Sequence, residues 1–465
     1  MARQAPLRHR LPDAGRRRLN PFEAGAASVG RSPFRDFPMT AHAPVVTMAS
    51  RAEHVQRIVT PGGVTAWLVE SYAVPLVALE FAIRGGAAQD PADKPGLATL
   101  LAGMLDEGAG PHDARGFHRA IDELAIHLGF GADRDSISGH LQTLSKNTGK
   151  AFELLKLALT EARLDAADVA RVRSQLSAEL KRDLNEPDAM ASKAFREAAF
   201  PNHPYGRPVR GDLTTIDTLS REDLIAMRER LFAKKDLAIA VVGAIDAATL
   251  SERLDETFGA FAQKNDLIPV APVTLANVGT RKVVDLDVPQ STIRFGRPGV
   301  TKRDPDYFAV VVANHILGGG TFTARLFREV REKRGMAYSV YSQLNEYDQC
   351  PMLLGAAATR NERAGEALKV IEEEVRRFAE EGPTEDELDK AKKFLIGSYA
   401  LRFDTSTKIA SQLVNLQMDG FEPSYLDERN GRIAAVGLED CKRAAKRLLG
   451  DGGLLVTIVG RPEGV

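Results

Sequence analysis

None of the chain's nine histidines lies four residues from another, so no helical turn offers the His-x-x-x-His pair with which one helix grips zinc. His112 and His118 are six apart, a spacing that puts them on different helical faces. Cys350 and Cys441 are far apart, with no close Cys or His neighbour, which argues against a disulfide framework or a zinc knot and for two core thiols. The glycine run Gly318, Gly319 and Gly320 lacks the Lys-Ser/Thr ending of a phosphate loop. A flexible turn is the better reading. Downstream of it, Arg328 with Glu332 and Glu329 with Lys333 are spaced as helical i,i+4 pairs, with Leu326, Phe327 and Val330 on the buried face. Gly335 then ends the helix in the left-handed region. Met336, Tyr338 and Val340 follow at strand spacing, which on its own makes Tyr338 a half-buried sheet residue.

The elements that must position these residues belong to a globular chain. Of 465 residues, 44% are hydrophobic and 27% charged, and no apolar run approaches the roughly 18 residues of a membrane span. With 62 basic against 63 acidic side chains, no global field gathers nucleic acid. Residues 1–38 hold eight arginines, five prolines and three acids, which predicts a disordered tail over about 1–54. Met39 or Met48 is an alternative start. An Arg-rich, acid-poor transit peptide is a further reading of that tail, and no secretory apolar stretch is visible, so cytoplasm and periplasm both stay open.

Two halves emerge by counting. PLVALEF (75–81) followed by Asp90-Pro91 is echoed by PQSTIRF (289–295) followed by Asp304-Pro305, at an offset of 214 residues. The segments 221–243 and 438–460 match at an offset of 217. An internal duplication is the reading. LVALEFAI, LAIAVVG and LLVTIVG are bounded apolar runs of strand length. Residues 151–184 and 366–401 carry helical periodicity, with Asp165 and Thr384 at N-cap positions and Glu387 completing a capping box. Each half is therefore α+β, a mixed sheet packed with helices. The expected organisation is a tail over 1–54, a first half over 55–265, a linker over 266–279 and a second half over 280–465.

The run GLATLLAGMLDEGAG (96–110) resembles the zinc helix of the pitrilysin/insulinase metallopeptidases, processing-peptidase-like bacterial members included. There Gly-Leu-Ala precedes His-x-x-Glu-His, whose histidines bind zinc while the glutamate acts as general base. Thr99, Ala102 and Gly103 occupy those three places here. Glu179 falls about where the family's third ligand is expected, and without the histidines it reads as a solvated helix residue. The resemblance implies a decayed catalytic helix and no metal in this chain.

A second segment, HILGGGTFTARLFREVREKRGMAYSVYSQL (315–344), resembles the family stretch in which a glycine-rich turn leads to Arg-Leu-Phe, Arg-Glu-Lys and Gly-Leu-Ala-Tyr. Carried over by position, the family's active-site arginine and tyrosine are Arg331 and Tyr338, implied to reach a zinc site in trans and to donate to the substrate oxyanion. Gly318 to Gly320 then lie near the substrate path. AFPNHPYGRPVRG (199–211) also resembles the bacterial members, with His203 structural. The resemblance runs from about residue 55 to the end. It implies a zinc-less subunit of a heterodimeric metalloendopeptidase, with zinc held by a related partner that carries His-x-x-Glu-His, and a peptide substrate. The alternatives are a structural subunit, as in respiratory-complex core proteins of this fold, or a peptide-binding scaffold without peptidase role.

Overall fold

The computed structural model describes residues 51–465; the start-site and tail readings over residues 1–50 lie outside them. Strands β1 (Gln56–Val59), β2 (Thr65–Glu70), β3 (Leu76–Arg84), β4 (His127–Ala132), β5 (Ser136–Leu144) and β6 (Leu237–Gly243) form one sheet in the order β1-β2-β6-β3-β5-β4. Strands β7 (Arg281–Asp285), β8 (Gln290–Pro298), β9 (Ala337–Tyr347), β10 (Cys350–Arg360) and β11 (Leu455–Gly460) form another in the order β7-β11-β8-β10-β9. Directions correspond as well as order. β2 runs parallel to β6 as β7 does to β11, and every later pairing is antiparallel in both sheets.

The first sheet is accompanied by α1 (Leu97–Ala102), α2 (Ala114–Glu123), α3 (Thr148–Thr160), α4 (Ala166–Asp183), α5 (Pro187–Ala199), α6 (Arg221–Leu231) and α7 (Ala247–Phe258). The second has α8 (Tyr307–Asn314), α9 (Ala364–Glu381), α10 (Glu385–Gly397), α11 (Ser406–Met418), α12 (Tyr425–Ala435) and α13 (Leu438–Leu449). The protein is α+β, two mixed sheets packed with helices. Thr384 caps α10 as its spacing predicts, its hydroxyl accepting from Glu387 N while Glu387 accepts from Thr384 N. Asp165 stands at the N-cap of α4 but makes no cap bond, because Arg163 takes its carboxylate at 2.7 Å. Residues 266–279 hold no helix or strand and are tied down by Val273 N–H to Gln349 O and Ala276 N–H to Ala199 O.

Each sheet is buried on both faces, which accounts for the unbroken apolar runs. Val77, Leu79, Phe81 and Ile83 of β3, with Ile239 and Val241 of β6, face the helices of the first half. Their alternates Ala82, Ala238, Ala240 and Val242, joined by Trp67, pack under Ala410, Leu413, Val414 and Leu416 of α11, a helix of the second half. Gln417 Nε2 donates to Ile239 O across this contact. The exchange is reciprocal. α5 of the first half lies on the second sheet, where Thr457 of β11 donates to Ala191 O at 3.1 Å and Phe195 and Ala199 pack against Leu455 and Met352.

Candidate functional site

Helix α1, whose sequence resembles a zinc helix without its ligands, is a single short helix fixed at its N-terminal end. Gly96 enters it at φ +99°, and an added Cβ there would lie 2.9 Å from Arg210 O. Buried Asp90 caps it, accepting from Gly96 N at 2.7 Å and Ala98 N at 2.9 Å. Burial pushes the Asp90 carboxyl up to about 7 in spite of those two donors. Thr99 donates its hydroxyl to Val209 O at 2.8 Å. Ala102 is buried, and Gly103 sits against Val172 of α4.

Glu179, on the same α4, is half-exposed and paired with Arg210 at 3.6 Å, while Arg210 also binds Asp183. The two positions that sequence could only place on separate helices are thus met by consecutive residues of one loop, Val209 by Thr99 and Arg210 by Glu179. A hydroxyl committed to a carbonyl, two positions with no donor and a carboxylate held by a guanidinium do not fit a zinc ion. Among the described residues no group of three or more His, Cys, Asp or Glu is placed to hold a metal. His203 bridges Ala271 O and Tyr205 N and is structural.

Arg331 and Tyr338 are brought together by two departures from regular structure. Residues Phe327–Glu332 wind wider than an α-helix, with Lys333 N–H donating to Arg328 O five residues back. Among the described residues Arg328 and Glu332 make no ion pair, whereas Glu329 and Lys333 do, as their spacing predicts. Glu329 collects Lys333 at 2.6 Å, Arg334 at 2.7 Å and Arg377 at 3.7 Å. Burial raises the Glu329 carboxyl, and the Lys333 and Arg334 hydrogen bonds outweigh it, holding the group at about 2. Behind it, buried Arg325 makes a two-pronged bond to Glu387 and lies 3.6 Å from Glu374.

The second departure is in β9. Its register on β10 shifts between Ser339 opposite Ala358 and Ala337 opposite Thr359, so Tyr338 has no partner. This bulge breaks the alternation expected from spacing. Val340 is buried, whereas Tyr338 is turned out and 79% exposed. The Arg331 guanidinium lies 5.4 Å from the Tyr338 ring and 4.8 Å from that of Phe327. Phe327 in turn meets the ring of exposed Phe322 edge-on at 5.1 Å.

The glycine run is not a loose turn. His315–Gly319 forms a second wide turn closed by Gly320 N–H to His315 O, with Gly318 and Gly320 buried and Gly319 at the surface. A Cβ on Gly318 would meet Ser342 of β9, its backbone nitrogen at 2.5 Å. The run therefore lets the turn pack onto the strand that carries Tyr338. Among the described residues no hydrogen bond, ion pair or ring contact joins Arg331 or Tyr338 to Thr99, Ala102, Gly103 or Glu179.

Comparison with known proteins identifies the family and the fold. Residues 68–213 match the family model for insulinase (peptidase family M16), and residues 218–395 the model described as peptidase M16 inactive domain. The non-peptidase homolog YmxG of Helicobacter pylori is 27% identical over 337 residues, 72% of this chain and 78% of that protein. An uncharacterized zinc protease of Streptomyces coelicolor is 26% identical over 361 residues, 76% and 78% of the two chains. The crystal structure of a peptidase M16 inactive domain from Pseudomonas fluorescens superposes with a TM-score of 0.82 at 27% identity, covering 88% of this chain and 98% of that one. A chain of complex III2 from Candida albicans shares the fold at a TM-score of 0.74 and 17% identity, covering 88% and 97%. The two family matches lie end to end along the chain, and the chain belongs to the insulinase-type M16 peptidase family.

Proposed function

We propose that this chain is the zinc-less subunit of a two-chain metalloendopeptidase, lending Arg331 and Tyr338 to a zinc site on a related partner that carries His-x-x-Glu-His. The observation that carries the reading is the outward-turned Tyr338 with Arg331 beside it. A bulge exposes the phenol, so packing does not explain it, and an ion cluster anchored on Glu329 fixes the turn that presents the guanidinium. A phenol and a guanidinium held together suit an oxyanion developing on a peptide carbonyl. Among the described residues no group of His, Cys, Asp or Glu is placed to hold a metal. Five strands of the first sheet, all but β1, correspond in order to the five of the second, which supports an ancestral duplication, a boundary near residue 270 and a partner built the same way. Gly318 to Gly320 then back the substrate path by seating the turn on β9.

A peptide-binding role without hydrolysis is the second reading. It is favoured by β4, which ends the first sheet's strand order and offers an edge for an extended peptide. Co-expression with a zinc-bearing homologue, followed by sizing and a peptidase assay, separates the two. Arg331→Ala and Tyr338→Phe are each expected to lower turnover by about 10²- to 10³-fold with assembly and partner zinc intact. Turnover unchanged in both variants, or a zinc chain fully active alone, refutes the half-enzyme reading.

A further inference from the structure

Where α5 crosses the second sheet, a cavity of about 160 Å³ is lined by three guanidinium groups, Arg134, Arg196 and Arg294, together with Ser192 and Tyr347. The rest of its wall is apolar, and no carboxylate lines it. Arg134 comes from the β4–β5 turn, Arg196 and Ser192 from one face of α5 at i,i+4 spacing, and Arg294 from β8. Both halves therefore contribute. Arg294 is neutralised by Asp188 at 2.6 Å.

The other two arginines have no such partner among the described residues. Arg134 is 7% exposed and gives one nitrogen to the carbonyls of Tyr205 and Arg207, while its Nε is buried with no acceptor. Arg196 makes a single long bond, from Nε to Gly206 O at 3.4 Å. Its proton affinity is lowered, first by burial and then by the charge of Arg134. Glu197, the acid nearest in sequence, faces Lys193 and Lys282. Arg134 also lies over the ring of Tyr347 at 4.9 Å. Neither arginine has an anionic partner among the described residues, and the two like charges repel each other across one small cavity.

We propose that this cavity is a binding site for a dianionic tetrahedral oxyanion of the phosphate or sulfate class. Two uncompensated positive charges match a charge near −2, and planar forks suit its paired oxygens. Ser192 and Tyr347 also line the wall. The volume is below the about 300–1,000 Å³ of a pocket for an organic ligand, so the occupant is a free ion or the phosphoryl end of a small molecule. Held there, the anion ties α5 and the β4–β5 turn to β8 and strengthens the junction between the halves.

The full-length chain is titrated with inorganic phosphate by calorimetry and thermal melting at ionic strength held constant with sodium chloride. Sulfate, acetate and phosphoserine form parallel arms. One saturable site per chain is expected, with phosphate and sulfate raising the melting temperature and acetate leaving it unchanged. Phosphoserine binding as well as phosphate assigns a phosphoryl head group; phosphate and sulfate alone assign the free ion. Arg196→Met keeps the apolar stem and is expected to weaken phosphate binding about 10-fold or more. Melting of that variant in chloride should be unchanged or higher. Arg294→Met provides a second variant on the other half. The proposal is overturned if phosphate stabilises no more than chloride, or if both variants bind phosphate as the parent does.

Discussion

Leu413 offers a direct measure of how far the halves depend on each other. It lies on α11, in the second half of the chain, yet it is fully buried against Trp67, Ala238 and Ala240 of the first sheet. Truncating such a leucine costs about 2–5 kcal/mol, the transfer of the lost atoms plus the cavity left behind. Trp67 is the chain's only tryptophan and is 5% exposed beneath α11. Its fluorescence therefore reports this interface and nothing else. With a urea slope of about 3 kcal/mol/M, Leu413→Ala should lower the midpoint read by Trp67 by about 1 M. The same shift is expected by far-UV circular dichroism, because both sheets lose stability together. A chain cut near residue 270 should, for the same reason, leave that sheet face bare and associate or precipitate. A Trp67 transition untouched by Leu413→Ala, with loss confined to the second half, would show that the helix exchange contributes little and that each half stands alone.

Other outcomes follow from single residues. Gly318→Ala should cost about 1–3 kcal/mol by thermal melting, since its Cβ would collide with Ser342. Tyr338→Ala should leave melting within about 0.5 kcal/mol of the parent, because that side chain is solvent-exposed. Glu329 is held at about 2, below its unfolded value, so its contribution to stability is present above pH of about 4.3 and lost as pH falls toward 2. Glu329→Gln should flatten that part of the acid limb in a pH series of melts. Glu80 behaves in the opposite sense. Burial raises it to about 7, so the folded state holds a proton that the unfolded state releases above pH of about 4.3, and stability falls as pH rises through 7. Glu80→Gln should therefore stabilise at pH 8 and change little at pH 4.

Much of this architecture was written in local sequence. The runs at 76–83 and 237–243 read as buried strands, and Thr384 with Glu387 reads as a capping box, because each depends on neighbours within a few residues. What covers those strands did not, since Ala410, Leu413 and Val414 look like the apolar stripe of any amphipathic helix. The exposure of Tyr338 was misread for a related reason. A bulge is a mismatch of count between two strands, and β9 alone carries no sign that Thr359 will pair with Ala337. Of the two i,i+4 ion pairs that spacing predicts at 328–333, only Glu329–Lys333 forms. At the degenerate helix the missing donors were plain from residue type alone. The Glu179–Arg210 contact was not, because it closes 31 residues of chain through tertiary packing.

That contact bears on what separates this helix from a metal site. The backbone of α1 is intact, fixed by Asp90 and Gly96, which play no part in metal chemistry. Thr99 and Gly103 keep the i,i+4 relation, and a Cβ on Gly103 would make only ordinary contacts, 3.5 Å from Thr99 O and 3.6 Å from Val172. The frame of the helix therefore leaves room for side chains at these positions. Thr99→His, Ala102→Glu and Gly103→His introduced together should yield a chain that binds zinc, measured by dialysis and metal analysis, where the parent binds none in stoichiometric amount. The costly member is Ala102→Glu, because Ala102 is 2% exposed and a carboxyl there without a partner costs at least about 1–3 kcal/mol. Zinc should recover part of that loss in thermal melts. Arg210 competes with the metal for Glu179, but a half-exposed pair at 3.6 Å is worth about 0–1 kcal/mol. Adding Arg210→Ala should tighten zinc binding by no more than about fivefold. A much larger gain would mean that Arg210, rather than the missing histidines, is what closes this site to metal. Stoichiometric zinc on the unaltered chain would place the site elsewhere altogether.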